Sequence, residues 1–196
     1  MDGFVDDAEE DDRRVVLRTA RLTLRAPRRE DARAIANLAN NPQVAENLSS
    51  MPHPYDETDA IAWIDRPTPR ESAARFVILQ GRLLIGAVGC GKLEPEADFP
   101  EIGYWIGQPY WGCGFGTEAA QAMIDHVFNT TRNRQILGSC RVTNRTSRRV
   151  LQKCGFQYFG DDMIHSRYFN SAVAVHRFRL ERAIWASLKA WGAGAK

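Results

Sequence analysis

The segment Glu101–Glu118, EIGYWIGQPYWGCGFGTE, constrains this chain more than any other. Its first part, Glu101–Ile106, is rich in aromatic and β-branched residues and reads as a strand. Gly107–Gly116 holds four glycines and one proline and reads as a loop. From Thr117 to about Thr131, Ala119, Ala120, Met123, Ile124, Val127 and Phe128 fall on one face of a helix. The first-turn N–H groups of that helix have no intrahelical partners and sit at the positive end of its dipole. Glycines at 112, 114 and 116 let the chain curl and let a phosphate approach the backbone. The segment is therefore built as an anion site.

Two common phosphate motifs fail here. A Walker loop requires Lys and Ser or Thr after its last glycine-spaced position, and Phe115 and Gly116 stand there. A dinucleotide fingerprint starting at Gly112 and Gly114 requires glycine at 117, which is Thr. The acid expected about twenty residues on is also missing from the next strand.

The rest of the chain supplies one mixed α/β sheet domain. Val15–Ala26 reads as a strand that Pro27 ends. Helices are expected over Asp31–Asn40, where Asn41-Pro42 is a stop signal, and over Asp56–Asp65, with Asp56 as N-cap. Strands are expected over Arg75–Leu79 and Leu83–Leu93, joined by a hairpin turn at Gln80-Gly81-Arg82. Glu94–Pro100 reads as a charged connection. Gln135–Val142 reads as a strand and Asn144–Cys154 as a helix that Gly155 stops. Strands over Gln157–Arg167 and Val173–Leu180 and a closing helix over Glu181–Ala190 complete the order. Residues 191–196 read as a frayed end and 1–13 as a disordered acidic tail, leaving one domain over 14–190.

Charge narrows the partners. Residues 2–12 carry seven acids and no Lys or Arg, so the remaining 26 basic and 17 acidic residues leave the folded part at +9. A basic body suits a polyanionic ligand, either nucleic acid or a phosphate-bearing cofactor. Cys90, Cys113, Cys140 and Cys154 form no C-x-x-C pair, which argues against a zinc knuckle, and no metal is expected. An acidic N-terminus and the lack of a long apolar run lead us to expect a cytoplasmic protein without a membrane partner.

The loop YWGCGFGTEA, residues 110–119, resembles the acetyl-CoA loop of the GNAT acetyltransferase superfamily, especially its RimJ/RimL-like branch. Gly114 and Gly116 match the family's [QR]-x-x-G-x-[GA] pattern, and Trp111 departs from its first position, as loops of that branch often do. Downstream, NRTSRRVLQKCGF, residues 144–156, resembles the branch's N-x-x-S-x-x-V-L-x-K-x-G-F helix. The resemblance implies a GNAT fold: a mostly antiparallel mixed sheet flanked by helices, with a V-shaped splay between the family's fourth and fifth strands. It further implies a cofactor site. Tyr104, Trp105 and Ile106 would run along the pantetheine arm, Trp111, Gly112, Cys113, Gly114, Phe115, Gly116 and Thr117 would hold the pyrophosphate, and Asn144, Ser147 and Lys153 would complete the site. Asn144 also reads simply as a helix N-cap.

The same resemblance implies direct acetyl transfer from acetyl-CoA to a primary amine, which is a protein N-terminus or a small molecule. A base is needed because an ammonium has no lone pair. Glu101 stands where relatives often carry one, although a strand-end carboxylate facing water is an equal reading. The Tyr that many members use to protonate the departing thiolate would fall at Leu151 and is absent, so Ser147 is the candidate donor. Ser147 also reads as a first-turn serine satisfying the backbone. His165, Tyr168 and His176 lie on the last two strands, which border the acceptor site in the family. Cys113 reads as incidental and His126 as structural. A homodimer is compatible with the resemblance. The rival readings are a catalytically silent coenzyme A-binding protein and a basic nucleic-acid-binding domain, and the latter lacks a recognition motif.

Overall fold

The computed structural model describes residues 15–67, 75–92 and 97–194, so the acidic tail and the first three residues of the Glu94–Pro100 connection lie outside it. Its centre is one eight-stranded sheet: β1 (Val16–Arg18), β2 (Thr23–Arg25), β3 (Arg75–Gln80), β4 (Leu83–Gly91), β5 (Glu101–Ile106), β6 (Gln135–Arg141), β7 (Gln157–Ser166) and β8 (Ser171–Glu181). The spatial order is β1-β2-β3-β4-β5-β6-β8-β7. Every neighbouring pair is antiparallel except β5 and β6, which run parallel.

That parallel pair determines where the site forms. β4 and β5 pair along six positions, from Gly86↔Ile106 to Gly91↔Glu101. β5 and β6 pair only at Glu101↔Leu137 and Ile102↔Gly138. Past Ile102 the two strands part, and the V-shaped splay opens toward their C-terminal ends. It falls between the fifth and sixth strands because the stretch expected as one strand over Val15–Ala26 folds as the β1–β2 hairpin. Thr19 makes that turn, its backbone N–H and hydroxyl both donating to the Leu22 carbonyl at 3.0 and 3.3 Å.

Among the described residues six α-helices cover the two faces. On one side lie α1 (Ala32–Ala39), α2 (Pro42–Ala45) and α3 (Glu57–Asp65). The short α2 was not expected, since Asn41-Pro42 reads as a stop. Here Asn41 accepts from the Gln43 N–H at 2.9 Å as an N-cap, and Pro42 takes the first helical position, where no N–H is needed. Asp56 caps α3 as expected, accepting from the Asp59 N–H at 3.0 Å. Ile35, Ala39, Val44 and Ala60 of these helices bury Val77 of β3.

On the other side lie α4 (Phe115–Thr130), α5 (Arg145–Lys153) and α6 (Arg182–Gly194). All six apolar residues expected to form the inner face of α4 are buried. They pack with Phe76, Ile102, Ile136 and Phe178 of the sheet. A fully buried Phe such as Phe128 contributes about 1.5–3 kcal/mol by leaving water. The closing helix continues past its expected end at Ala190 as far as Gly194.

Candidate active site

The loop between β5 and α4 is built by two glycines with left-handed backbone, Gly112 at φ 78° and Gly114 at φ 79°. A residue with a Cβ is strained at either position. Gly114 is also the N-cap of α4, and among the described residues no side chain caps that helix end. The helix begins at Phe115, two residues before the expected Thr117, so the N–H groups of Phe115, Gly116 and Thr117 make up its open first turn. The Trp111 indole N–H donates to the Ile106 carbonyl at 2.6 Å, closing the loop back onto the end of β5. That is the local role of the residue that departs from the family pattern.

A clamp from the β1–β2 turn holds the loop from outside. Arg21 donates to the Cys113 carbonyl at 2.9 Å and lies over the Phe115 ring, 4.7 Å from its centroid. The Arg21 Nε and Nη2 both engage Glu118 Oε2, at 2.7 and 2.6 Å. Thr19 Oγ1 and the Arg21 N–H donate to Glu118 Oε1 at 2.6 and 2.9 Å. Burial works against ionisation of Glu118, but the hydrogen bonds from Thr19 and Arg21 together hold its carboxyl below the ordinary range. Neither Thr19 nor Arg21 was singled out from the sequence, because the contact to Glu118 spans 97 to 99 residues.

The splay brings the other candidates together along α5. The C-terminal half of α5 lies against the first turn of α4: a Cβ on Gly116 would sit 3.8 Å from Val150, and the Cys154 thiol lies 3.9 Å from the Thr117 carbonyl. Lys153 is exposed beside that contact. At the other end Asn144 accepts from the Ser147 N–H at 3.0 Å, which makes it the expected N-cap. The Tyr104 hydroxyl, from β5, lies 2.9 Å from Ser147 Oγ and donates to the Ser147 carbonyl at 3.2 Å. A hydrogen bond thus joins one arm of the V, β5, to the first turn of α5, the helix that follows β6. Burial pushes the Tyr104 phenol well above its usual range, so it stays protonated at neutral pH. Tyr104 was expected to act through its backbone, and its hydroxyl is an addition from the structure.

Glu101 does not face open water, because its side chain is only 10% exposed. Ser139 Oγ donates to its Oε1 at 2.5 Å, and the Arg177 guanidinium lies 3.4 Å from its Oε2. One partner on each oxygen leaves acceptor capacity on both, since an ionised carboxylate offers about four lone-pair sites. Along β6, Ile136, Gly138 and Cys140 are buried against α4 and α5, so Ser139 and Arg141 point to the opposite face.

The three acceptor candidates are not gathered in one place. His176 alternates with Arg177 to the α5 side of β8, where its Nδ1 lies 2.6 Å from Asp161 and its ring meets Tyr158 edge-on. Tyr168 packs on the α1–α3 side, against His53 at 5.7 Å and Phe169 at 4.8 Å. His165 is exposed on the edge strand β7, opposite Ala172. Alternation along β8 separates His176 from the face that carries Glu101. Cys113 is exposed, and the other three cysteines are buried. Among the described residues no group of His, Cys, Asp and Glu could hold a metal ion, and no helix is long and apolar enough to cross a membrane.

An extended, amide-bearing chain ending in phosphates fits this arrangement. From Gly103 to Trp105 the β5 backbone has no strand partner on its β6 side, and the uncapped turn of α4 stands at the end of that edge. Comparison with known proteins agrees. The profile of the acetyltransferase (GNAT) domain matches residues 21–157. The uncharacterized N-acetyltransferase p20 of Bacillus licheniformis is 31% identical over 148 residues, 74% of this chain and 83% of its own. The ribosomal-protein-serine acetyltransferase of Escherichia coli strain K12 is 34% identical over 87 residues, 44% of this chain and 49% of its own. The structure of Mycobacterium smegmatis RimJ in complex with CoA-disulfide superposes with a TM-score of 0.74 at 20% identity, covering 91% of this chain and 93% of that one.

Proposed function

This chain belongs to the acetyltransferase (GNAT) domain family, and on that premise we propose which of its residues carry acetyl from acetyl-CoA to a primary amine. The bound thioester supplies an acyl group already activated toward attack. The open first turn of α4, with Gly112 and Gly114 bending the loop, holds the pyrophosphate through backbone N–H groups. The unpaired edge of β5 at Gly103–Trp105 aligns the pantetheine arm and offers an N–H to the thioester carbonyl. Asn144 contacts a pantetheine amide, and Lys153 stands near the phosphates.

Glu101 takes the proton of the acceptor ammonium. Ser139 and Arg177 each hold one of its oxygens and leave acceptor capacity on both. Ser147 donates its hydroxyl proton toward the departing sulfur. Tyr104 supports this by holding Ser147 Oγ in place at 2.9 Å, in a contact where either hydroxyl can be the donor. The single observation that carries the reading is the splay: a parallel pair held at only two positions, with Tyr104 of β5 reaching Ser147 on α5 beside it.

The acceptor is a primary amine, and the protein-directed relative keeps protein substrates within the class. A thiol-release assay with acetyl-CoA against peptides, polyamines and aminoglycosides tests the reading. Wild type releases thiol with at least one amine class, and Glu101→Gln lowers turnover roughly 10²–10⁴-fold while acetyl-CoA affinity holds. Near-normal turnover of Glu101→Gln contradicts the base assignment. Binding of acetyl-CoA without turnover on any amine contradicts catalysis itself.

A further inference from the structure

A cavity of about 430 Å³ opens where β6 ends and α5 begins. Its walls include the Glu46 and Asn47 segment after α2, Arg141 at the end of β6, and Asn144 and Arg145 at the start of α5. Two guanidinium groups and one carboxylate line it, so its charge balance is positive. It also sits far from the phosphate loop. The end of α5 near Val150 and Cys154 touches the first turn of α4, whereas the cavity lies at the Asn144 end. Along α5, Arg145 in the cavity wall stands roughly 8 Å from Val150 and roughly 13 Å from Cys154.

Arg141 is the most prepared group in the cavity. Its Nη1 donates to the Glu46 carbonyl at 3.1 Å, and its guanidinium lies 4.5 Å from the centroid of the Phe169 ring. These contacts fix its plane and occupy only one of its five N–H donors. Other arginines on the same face are matched to carboxylates, Arg177 to Glu101 and Arg179 to Glu181. Among the described residues Arg141 makes no ion pair. Such an oriented and electrically unmatched guanidinium suits a carboxylate or phosphate, which it can bind in bidentate fashion.

We propose that this cavity is an acceptor subsite and that Arg141 binds an anionic group carried by the amine acceptor. The proposal rests on the reading of Glu101 as the base. Ser139, which holds Glu101, is two residues before Arg141 on the same face of β6, roughly 6.6 Å along the strand. The acceptor therefore has an amine and an anionic group separated by several ångströms. An acidic peptide N-terminus or an ω-amino acid has that spacing, and a polyamine carries no anion at all. The coenzyme's own phosphates are the other source of an anion, and the length of α5 argues that they bind elsewhere.

The test is a selectivity ratio. Matched acceptors are compared, each a primary amine with a carboxylate or with the uncharged amide in its place, and spermidine is run beside them. In wild type, kcat/KM for the carboxylate acceptor exceeds that for the amide by roughly 10- to 100-fold, as expected for a charge-assisted contact. Arg141→Gln brings the ratio close to one, and Arg141→Lys, which keeps the charge but not the fork, falls between. Melting temperatures of both variants check folding, and Arg145→Gln provides a second variant of the same wall. An unchanged ratio in Arg141→Gln, a wild-type preference for spermidine, or a matching loss of acetyl-CoA affinity overturns the proposal. Glu101→Gln separates the two layers, since it lowers both rates and leaves the ratio intact. If no amine in the panel is acetylated, calorimetric binding of the paired compounds to the coenzyme A complex reads the same preference directly, and equal binding sinks it.

Discussion

At the residue scale the site depends on pairs that sequence distance conceals. Ser147 reads from its motif, but its partner Tyr104 is 43 residues away, and Ser139 is 38 residues from Glu101. If Tyr104 acts through Ser147, Tyr104→Phe lowers kcat by roughly 2- to 12-fold, the worth of one neutral hydrogen bond. In a Ser147→Ala background the same change has no further effect. Additive losses in the double variant would mean that Tyr104 works independently. The thiols give a second test. Burial raises Cys90 to about 12, Cys140 to about 11 and Cys154 to about 12, while Cys113 stands exposed in the loop. A disulfide reagent at neutral pH therefore titrates Cys113 alone in the folded protein, because thiolate is the reactive form. Saturating acetyl-CoA slows that reaction if the loop holds the pyrophosphate, and an unchanged rate argues against this position for the cofactor.

At the scale of elements, long periodic segments were legible and short ones were not. The inner face of α4 was read residue by residue, since sixteen positions make the helical period plain. The four residues of α2 carry too little period to be read, and the three-residue strands β1 and β2 read as one strand because neither is long enough to mark its own end. The loop was legible as an anion site, but the clamp from Thr19 and Arg21 onto Glu118 was not. Gly114→Val forces a β-branched residue into φ 79° and disturbs the start of α4, so it weakens acetyl-CoA binding. Unchanged affinity would remove the loop assignment. The clamp also predicts a pH dependence. Glu118 titrates below its ordinary value in the folded state, so its stabilising contribution is complete above the ordinary glutamate range. It is lost as pH falls through the lowered value. Glu118→Gln therefore flattens the acid side of the stability curve, and a parallel downward shift at all pH values would show that the carboxylate charge is not involved.

For the whole molecule, the order of elements and the two motifs were enough to expect the sheet and its splay. The acceptor side was less legible. Arg141 contacts a carbonyl 95 residues earlier, and the faces taken by His176 and Tyr168 follow from the register of β8 and from the packing of the loop before α3. The acidic segment 2–12 is expected to contribute little, since seven acids with few apolar side chains give it little surface to bury. Its deletion leaves melting temperature and acetyl-CoA affinity nearly unchanged, and a large drop in either would mean that it packs on the basic body. The central claim is that this chain moves an acetyl group from coenzyme A to an amine. Its most direct test is mass spectrometry of the acceptor after incubation with acetyl-CoA labelled isotopically in the acetyl group. The account predicts labelled acetyl on the acceptor nitrogen with wild type and a large loss of it with Glu101→Gln. Tight acetyl-CoA binding without label on any amine would contradict it.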